Sequence, residues 1–485
     1  MSDDLHPEFK RMLGIDEPTP EYAPADDLEP MADYGDSHAH EGEQHRGQLR
    51  MAYRLAACYT DRLLHVANVG WHVWDGHRWT VDERGEAAKA VFDTLRQALA
   101  EAVDLPGKER DHLYSDVRRC ETAAGVDGVL RLASALDAFA AIVGDLDADP
   151  YLLNTLSGTL DLRTLDLRPH RPADRLTKVC GTGYDAGAEA PTWETFLADA
   201  LPDAEVRDFL RRMVGLSLVG KVVEHVLPIL TGTGRNGKGT MVRTLAAAIG
   251  DYAIEAEPEL FLARDRAHPT GQLDLRGVRL ATCQETDEGK RLAVATVKRL
   301  TGGDTIRARA MRQDFVEFEP SHLPVMITNH LPRVPADDPA LWARLLVVPF
   351  DVSFIGREDT GLGDRLALEL PGILAWAVRG YGEYVERRLD PPQAVKVATE
   401  QYQVSADALA QFIEEVCYVN PYVFARASEL FAEWQAWCRV NSEEPGNTRR
   451  FKESMETRGH QSRKTNSGNV FQGLEVVKEA VDERY

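Results

Sequence analysis

Apolar residues return every three or four positions through LRMAYRLAACYTDRLLH (49–65), which predicts a helix. In GWHVWDGHRWTV (70–81) the period drops to two around Asp75-Gly76, so two short strands with a tight turn are expected. Trp71, Trp74 and Trp79 of that hairpin could stack bases, although local packing is the expected role. Helical spacing resumes over 85–143, broken at Pro106-Gly107, and small strands follow in YLLNTLSGTLDLRTLDLRPH (151–170). YDAGAEAPTW (184–193) reads as a linker leading to helices at 194–200 and 203–219. Beyond them, HVLPIL (225–230), the apolar run 278–283, LPVMITNH (323–330) and the end of DDPALWARLLVVPF (337–350) are of buried-strand type. TMVRTLAAAIG (240–250) is an amphipathic helix closed by a glycine. Pro391-Pro392 breaks the chain near 388–395. Three helices are expected after it: 405–419 capped by Ser405, 427–440 with Trp434 and Trp437 at core spacing, and 447–459 capped by Asn447 or Thr448. A hairpin over 460–477 with Asn466-Ser467-Gly468 at its turn completes a winged-helix layout.

Between the strand at 225–230 and the helix at 240–250 lies TGTGRNGKGT (231–240). Strand, glycine loop and helix in that order direct backbone N–H groups and a helix N-terminus at bound phosphates. Gly232, Thr233, Gly234, Arg235, Asn236, Gly237, Lys238, Gly239 and Thr240 are therefore candidate nucleotide-binding residues, with Lys238 reaching the terminal phosphates. Gly239 occupies the position where a hydroxyl residue usually follows the lysine, and Thr240 is the candidate to take over that duty. Acids at the end of a neighbouring strand, Glu285, Asp287 and Glu288, suit the holding of Mg²⁺ and the orienting of water. Thr240 and Glu285 are thus the candidate metal ligands. Asn329, at the end of the 323–330 strand, could position water against the γ-phosphate, and Arg344 could neutralise charge across a subunit boundary. Between these, 304–309 and 314–319 alternate around Met311-Arg312-Gln313 and predict a basic hairpin bearing Arg307, Arg309 and Arg312, with Lys298 just upstream. Cations at such a place fit a phosphate backbone.

Composition refines this picture. A chain of 485 residues exceeds one core and points to two to four domains. The net charge of -22 argues against nucleic acid until its distribution is considered. Residues 1–45 hold thirteen Asp/Glu against two Lys/Arg, half of the excess, and read as a disordered acidic tail. The remainder can carry local basic surfaces, and Arg449, Arg450, Lys452, Arg463 and Lys464 form one on the third C-terminal helix and the wing. Six scattered cysteines without a C-x-x-C pair suggest a reducing setting and no zinc ribbon. Neither a signal peptide nor an apolar span of eighteen residues is present.

The ordered set of phosphate loop, ETDEG, VKRLTGGDTIRAR, ITNHLP and WARLLVVPF closely resembles the superfamily three helicases, in particular the phage and plasmid primase-helicase type related to the poxvirus primase-helicase. WHVWDGHRW and LLNTLSGTLDLRT are similar to the region that precedes the motor in that family, and the likeness spans about residues 50–480. It implies a multidomain α/β protein: an acidic tail (1–45), a helical and small-strand N-terminal domain (46–185), an AAA+-like parallel-sheet ATPase core (186–390) and a C-terminal winged-helix domain (396–485). It further implies ATP with Mg²⁺, a homo-hexameric ring and 3′→5′ movement on single-stranded DNA at a replication fork, in the cytoplasm of a bacterial host if phage-encoded. Lys238 would bind phosphate, Glu285 would lead the acids, Asn329 would be the sensor, Arg344 the finger, and Lys298, Arg309 and Arg312 would serve DNA. Ala343 stands where relatives commonly carry the first of two arginines. Many relatives carry a primase domain ahead of this region, and only the tail and a short helix precede it here, so primer synthesis is expected from a separate protein. Two other functions remain compatible with these residues, a non-translocating origin-binding AAA+ switch and a regulatory signalling NTPase scaffold.

Overall fold

The computed structural model describes residues 44–262, 269–285, 289–308, 315–441, 443, 445–465 and 468–477. Of the expected acidic tail only residues 44–45 fall within that set, and Asp287, Glu288, Arg309 and Arg312 lie outside it.

Helix α1 (Gly47–Tyr59) buries Met51, Ala52, Leu55 and Ala56 along one stripe. The helix expected to run to 65 stops there, and Leu63–Val66 forms strand β1, antiparallel to β2 (Gly70–Trp74). The reason is two-sided burial: Leu63 feeds the helical core while Leu64 and Val66 feed a separate cluster on the other side. A short run that is apolar on both faces has no periodicity to separate strand from helix. Strand β3 (Trp79–Val81) pairs with β2 across Asp75-Gly76 as expected. Trp79 is buried and its indole N–H donates to the Pro172 carbonyl at 2.8 Å, and Trp71 meets Phe139 edge-on at 5.5 Å, so these rings pack the hairpin. Helices α2 (Glu86–Ala102), α3 (Gly107–Cys120) and α4 (Ala123–Ala133) pack with α1, and β4 (Ala140–Ala141) adds a parallel edge to β1.

Strands β5 (Leu152–Thr155), β6 (Gly158–Asp161) and β7 (Asp166–Arg168) form a small antiparallel sheet. Packing is continuous across residues 185 and 186. Leu153, Leu160 and Leu162 share one buried cluster with Trp193, Phe209 and Leu210, because strands this short cannot cover their own apolar face. Helix α5 (Pro191–Ala200) opens without a cap from its own sequence, and Glu369 supplies one by accepting from the Thr192 and Trp193 amides at 3.0 Å each. Helix α6 (Ala204–Ser217) follows it.

A five-stranded, all-parallel sheet is built from β8 (Leu227–Thr231), β9 (Ala253–Ala256), β10 (Leu280–Glu285), β13 (Leu323–Thr328) and β14 (Leu345–Pro349), in the order β14-β8-β13-β10-β9. Alternate side chains of these strands enter two different cores, one holding Leu230, Ile327 and Val348, the other Ile229, Met326 and Val347. Between the strands run α7 (Lys238–Ile249), α8 (Val294–Gly302), the hairpin β11 (Ile306–Ala308) with β12 (Val316–Phe318), and α9 (Pro339–Trp342). Helices α10 (Leu362–Leu368) and α11 (Leu370–Arg387) come after β14. Where α11 crosses α6, a Cβ on Gly380 would stand 2.1 Å from the Arg211 carbonyl, so only glycine permits this approach.

The break at Pro391-Pro392 is present, yet helix α12 (Gln393–Ser405) still belongs to the sheet. Thr399 accepts from the Val347 amide at 2.9 Å and Tyr402 meets Trp342 edge-on, so α12 packs on β14 and α9. The last body comprises α13 (Ala408–Val416), β15 (Cys417–Arg426), α14 (Ala427–Val440), α15 (Thr448–Thr457), β16 (Ser462–Thr465) and β17 (Gly468–Val476). Asp407, not Ser405, caps α13 by accepting from the Ala410 amide, and β15 replaces the end of the expected helix. Trp434 and Trp437 are buried in this core as expected, and Asn447 caps α15.

Candidate nucleotide-binding site

Strand β8 ends at Thr231 at the carboxyl edge of the sheet, where the glycine loop begins. Gly232 takes φ 152°, and a Cβ there would lie 2.3 Å from both Asn236 Nδ2 and the Phe350 carbonyl oxygen. The loop is laced to the segment after β14. Buried Asn236 donates to the Phe350 carbonyl at 3.0 Å, the Phe354 amide donates to the Arg235 carbonyl at 2.8 Å, and Arg235 pairs with Glu358 at 2.8 Å. The first bond of α7 runs from the Met241 amide to the Gly237 carbonyl, so the amides of Lys238, Gly239 and Thr240 precede the helical ladder.

Lys238 is 4 % exposed. Its ammonium donates to the Gly232 carbonyl at 2.8 Å and to Asn329 Oδ1 at 3.4 Å, and no carboxylate pairs with it among the described residues. Burial alone brings its pKa down to about 8. Lys238 and Asn329, ninety-one residues apart, face one cavity of about 310 Å³ lined by the loop, Arg243, Gln284, Ile327 and Thr328. The Thr240 hydroxyl borders this cavity without a hydrogen-bond partner among the described residues. A Cβ at Gly239 would find only the Arg243 guanidinium, at 3.7 Å, so space does not demand glycine there.

Strand register aligns Glu285 of β10 with Thr328 of β13 and Thr231 of β8. The backbone of Glu285 therefore ends level with the start of the loop, two strands away. Gln284 and Thr328 are cavity residues that sequence reasoning missed. The signal for Gln284 was present, a polar side chain closing an apolar run directly before Glu285. A second cavity of about 670 Å³ also borders Arg235, Gly237 and Thr240, between Phe196 of α5 and the segment carrying Phe354 and Leu362. Nothing in the local sequence pairs those segments.

The remaining candidates lie elsewhere. Arg344 precedes β14 at the opposite edge of the sheet, roughly 15 Å of strand from the loop, and its Nε donates to Thr301 Oγ1 at 3.2 Å. Lys298 is held by Asp338 at 2.7 Å, an ion pair that keeps the Asp338 carboxyl below the usual range while Asp338 caps α9. Arg307 is exposed on β11, 3.6 Å from Glu317 across the hairpin and over the Phe315 ring at 4.5 Å. On α15 each expected DNA contact has an acidic neighbour: Arg449 with Glu453 at 2.9 Å, Lys452 with Glu456 at 3.6 Å, Arg450 with Asp337 of the sheet body at 3.2 Å. Arg463 and Lys464 of β16 are exposed with no such partner among the described residues. No cluster of three or more His, Cys, Asp or Glu side chains suited to a metal ion occurs among the described residues. No helix among them is long and apolar enough to cross a membrane.

Comparison with known proteins adds an independent line. The family described as D5 N terminal like matches residues 52–202, and the Family of unknown function (DUF5906) matches residues 230–344. The chain is 22% identical over 419 residues to "Putative helicase L207/L206" of Acanthamoeba polyphaga mimivirus, covering 78% of this chain and 44% of that protein. It is 26% identical over 269 residues to "Putative helicase 022R" of Frog virus 3 (isolate Goorha), covering 51% and 28%. The chain thus spans less than half the length of these curated relatives. Among solved structures, the A form apo structure of the NrS-1 C terminal region aligns with a TM-score of 0.47 at 10% identity, over 85% of this chain and 95% of that one.

Proposed function

We propose, from the premise that this chain is of the D5-like primase-helicase type, as its D5 N terminal like segment and viral relatives indicate, that it is an ATP-dependent replicative DNA helicase. The observation that carries the reading is Lys238: a desolvated ammonium held by a loop carbonyl and by Asn329, at a helix start, with no carboxylate beside it among the described residues. A buried cation left so, facing a cavity, is suited to receive polyphosphate charge. The strand order, with the loop strand between β14 and the Asn329 strand, supports an AAA+-like core. The loop amides and Lys238 would hold phosphates, and Asn329 would orient the attacking water. The second cavity, with Phe196 and Phe354 on its walls, is of a size and character to take the base and ribose.

The donors offered to a divalent cation are oxygen ligands of the kind Mg²⁺ selects: the unpartnered Thr240 hydroxyl and, by strand register, Glu285, with Asp287 and Glu288 following in sequence. Bound there, Mg²⁺ would supply charge neutralisation on the phosphates. Arg344 is too far from its own loop to serve it, so its catalytic use requires a neighbouring subunit, as in a hexameric ring. The β11–β12 hairpin, with Arg307 on its strand and Arg309 and Arg312 following it in sequence, would track single-stranded DNA, with 3′→5′ polarity and α13–β17 as a winged-helix module. The test is ATP turnover with and without single-stranded DNA, together with displacement of a strand from a forked duplex. DNA-stimulated turnover and displacement, both lost in Lys238→Ala, are expected. Turnover without displacement would favour an origin-binding switch, and wild-type turnover in Lys238→Ala would refute the loop assignment.

A further inference from the structure

The C-terminal sheet, ordered β15-β17-β16, has one face in the core and one in solvent. Ala425, Phe471 and Ser462 lie side by side in register, and the burial of Ala425 and Phe471 identifies the inner face. Register then fixes the outer face. Arg426, Val470 and Arg463 form one row across the three strands, and Phe424 stands opposite Gln472. Tyr418 is opposite Glu475 on the same side, since Leu474 and Val476 on either side of Glu475 turn into the core. The exposed aromatic surface here is large for a soluble body: Tyr418 is 53%, Phe424 67% and Tyr422 92% exposed.

Two features show that this surface is built. Pairing between β15 and β17 shifts register between Val419 and Phe424, and the looped-out residues are braced from within. The Tyr422 amide donates to Asn420 Oδ1 at 3.0 Å, and Asn420 Nδ2 donates to the Tyr418 hydroxyl at 3.1 Å, so the Tyr418 ring is tied to the looped-out segment and the backbone that presents exposed Tyr422 is fixed. The charges of this face differ from those on α15 and at its C-terminal end. Arg449, Arg450, Lys452 and Arg458 each have a carboxylate neighbour, whereas Arg426 and Arg463 have none among the described residues. Val470 between them is 8% exposed, which fits two arginine stems lying over it with their guanidinium groups in solvent. Glu475, the acid of this face, lies at its far end from the arginines.

Unpaired bases on a phosphate chain complement outward aromatic rings interleaved with unpaired guanidinium groups. We propose that the outer face of β15-β17-β16 is a stacking platform for single-stranded nucleic acid, with Phe424, Tyr422 and Tyr418 receiving base faces and Arg426 and Arg463 receiving phosphates. The nucleic-acid contact of this body is then its sheet, and α15, whose cations each sit beside a carboxylate, is not the reading helix.

Fluorescence anisotropy of the full-length protein without nucleotide tests this, using labelled dT20, rU20 and a blunt 20-bp duplex. The double variant Tyr422→Ala/Phe424→Ala alters only exposed side chains and is expected to bind dT20 about tenfold more weakly, with duplex binding unchanged. An equal loss on rU20 marks a site for unpaired bases of either sugar, and a loss confined to dT20 marks a DNA site. Arg426→Ala/Arg463→Ala is expected to lower the slope of log K against log salt by about 1.4, at 0.7 per cation. Arg449→Ala/Lys452→Ala should stay within about twofold of wild type. Ultraviolet crosslinking of dT20 should place the adduct within residues 418–426, which separates this face from any other DNA site on the chain. Unchanged dT20 affinity in the aromatic variant with no adduct on that peptide overturns the proposal and leaves the face to a protein partner. Equal losses on duplex and single strand overturn the stacking role. Lys238→Ala should retain this binding while losing turnover, so failure here is distinct from failure of the motor reading.

Discussion

A lysine buried without a carboxylate loses hydration that two neutral acceptors do not make good, so burial lowers the Lys238 pKa to about 8. Only the charged form attracts phosphate. Nucleotide affinity is therefore expected to be flat below about pH 8 and to fall about tenfold per unit above it, until the raised pKa of the bound state is passed. Titration of a nonhydrolysable ATP analogue between pH 7 and 9.5 checks this, and Lys238→Arg should move the break upward. His322, at the entrance to β13, gives a stability counterpart. Both its ring nitrogens are buried without a partner, and desolvation lowers its pKa to about 4 from 6.5. The unfolded chain takes up its proton first, so the stabilisation is complete above pH 6.5 and is lost as pH falls toward 4. The loss is about 3 kcal/mol at 1.36 kcal/mol per unit. His322→Leu should show a shallower fall in Tm between pH 6.5 and 4.5 than wild type; parallel curves would refute the assignment.

At the scale of elements, the phosphate loop depends on contacts far away in sequence. Helix α5, which walls the second cavity, is capped by Glu369 from the α10–α11 junction. Glu369→Ala should cost about 1–2 kcal/mol of stability through two lost amide acceptors, read by denaturant unfolding. It should also weaken nucleotide binding if the base sits against Phe196. Trp434→Ala, which would empty a fully packed site in the C-terminal core and orphan a bond to the Pro445 carbonyl at 2.9 Å, should cost about 3–5 kcal/mol in the melting of that body. Turnover at 20 °C should survive if the sheet body folds independently of it.

At the scale of the whole molecule, Arg344 carries the prediction. It stands at the edge of the sheet opposite its own loop and is anchored to Thr301, so Arg344→Ala should bind nucleotide normally while turnover collapses. Mixed with wild type, it should depress activity more steeply than its mole fraction if neighbours share sites; linear dilution would place Arg344 in a structural role. The ion pairs between bodies, Arg450–Asp337 and Arg333–Glu443, are partly exposed, and each contributes at most about 1 kcal/mol. Asp337→Ala should leave Tm nearly unchanged in a thermal scan.

The sequence by itself determined what local physics determines: the glycine loop between strand and helix, the strands apolar on both faces, the hairpin at Asp75-Gly76, and the spacing that buries Trp434 and Trp437. Those features follow from periodicity and turn chemistry within a dozen residues. Where only a neighbour could decide, pattern reading failed. Leu63–Val66 is a strand because two cores flank it, Cys417–Arg426 because β17 offers an edge, and α12 joins the sheet because Tyr402 and Thr399 find partners there. Tertiary structure alone brought Asn329 to Lys238, opened a second cavity bordering Thr240, and set Arg344 at the wrong edge for its own loop. It also paired the cations of α15 with acids and left those of the sheet bare. Composition counts charges, but only folding decides which of them meet.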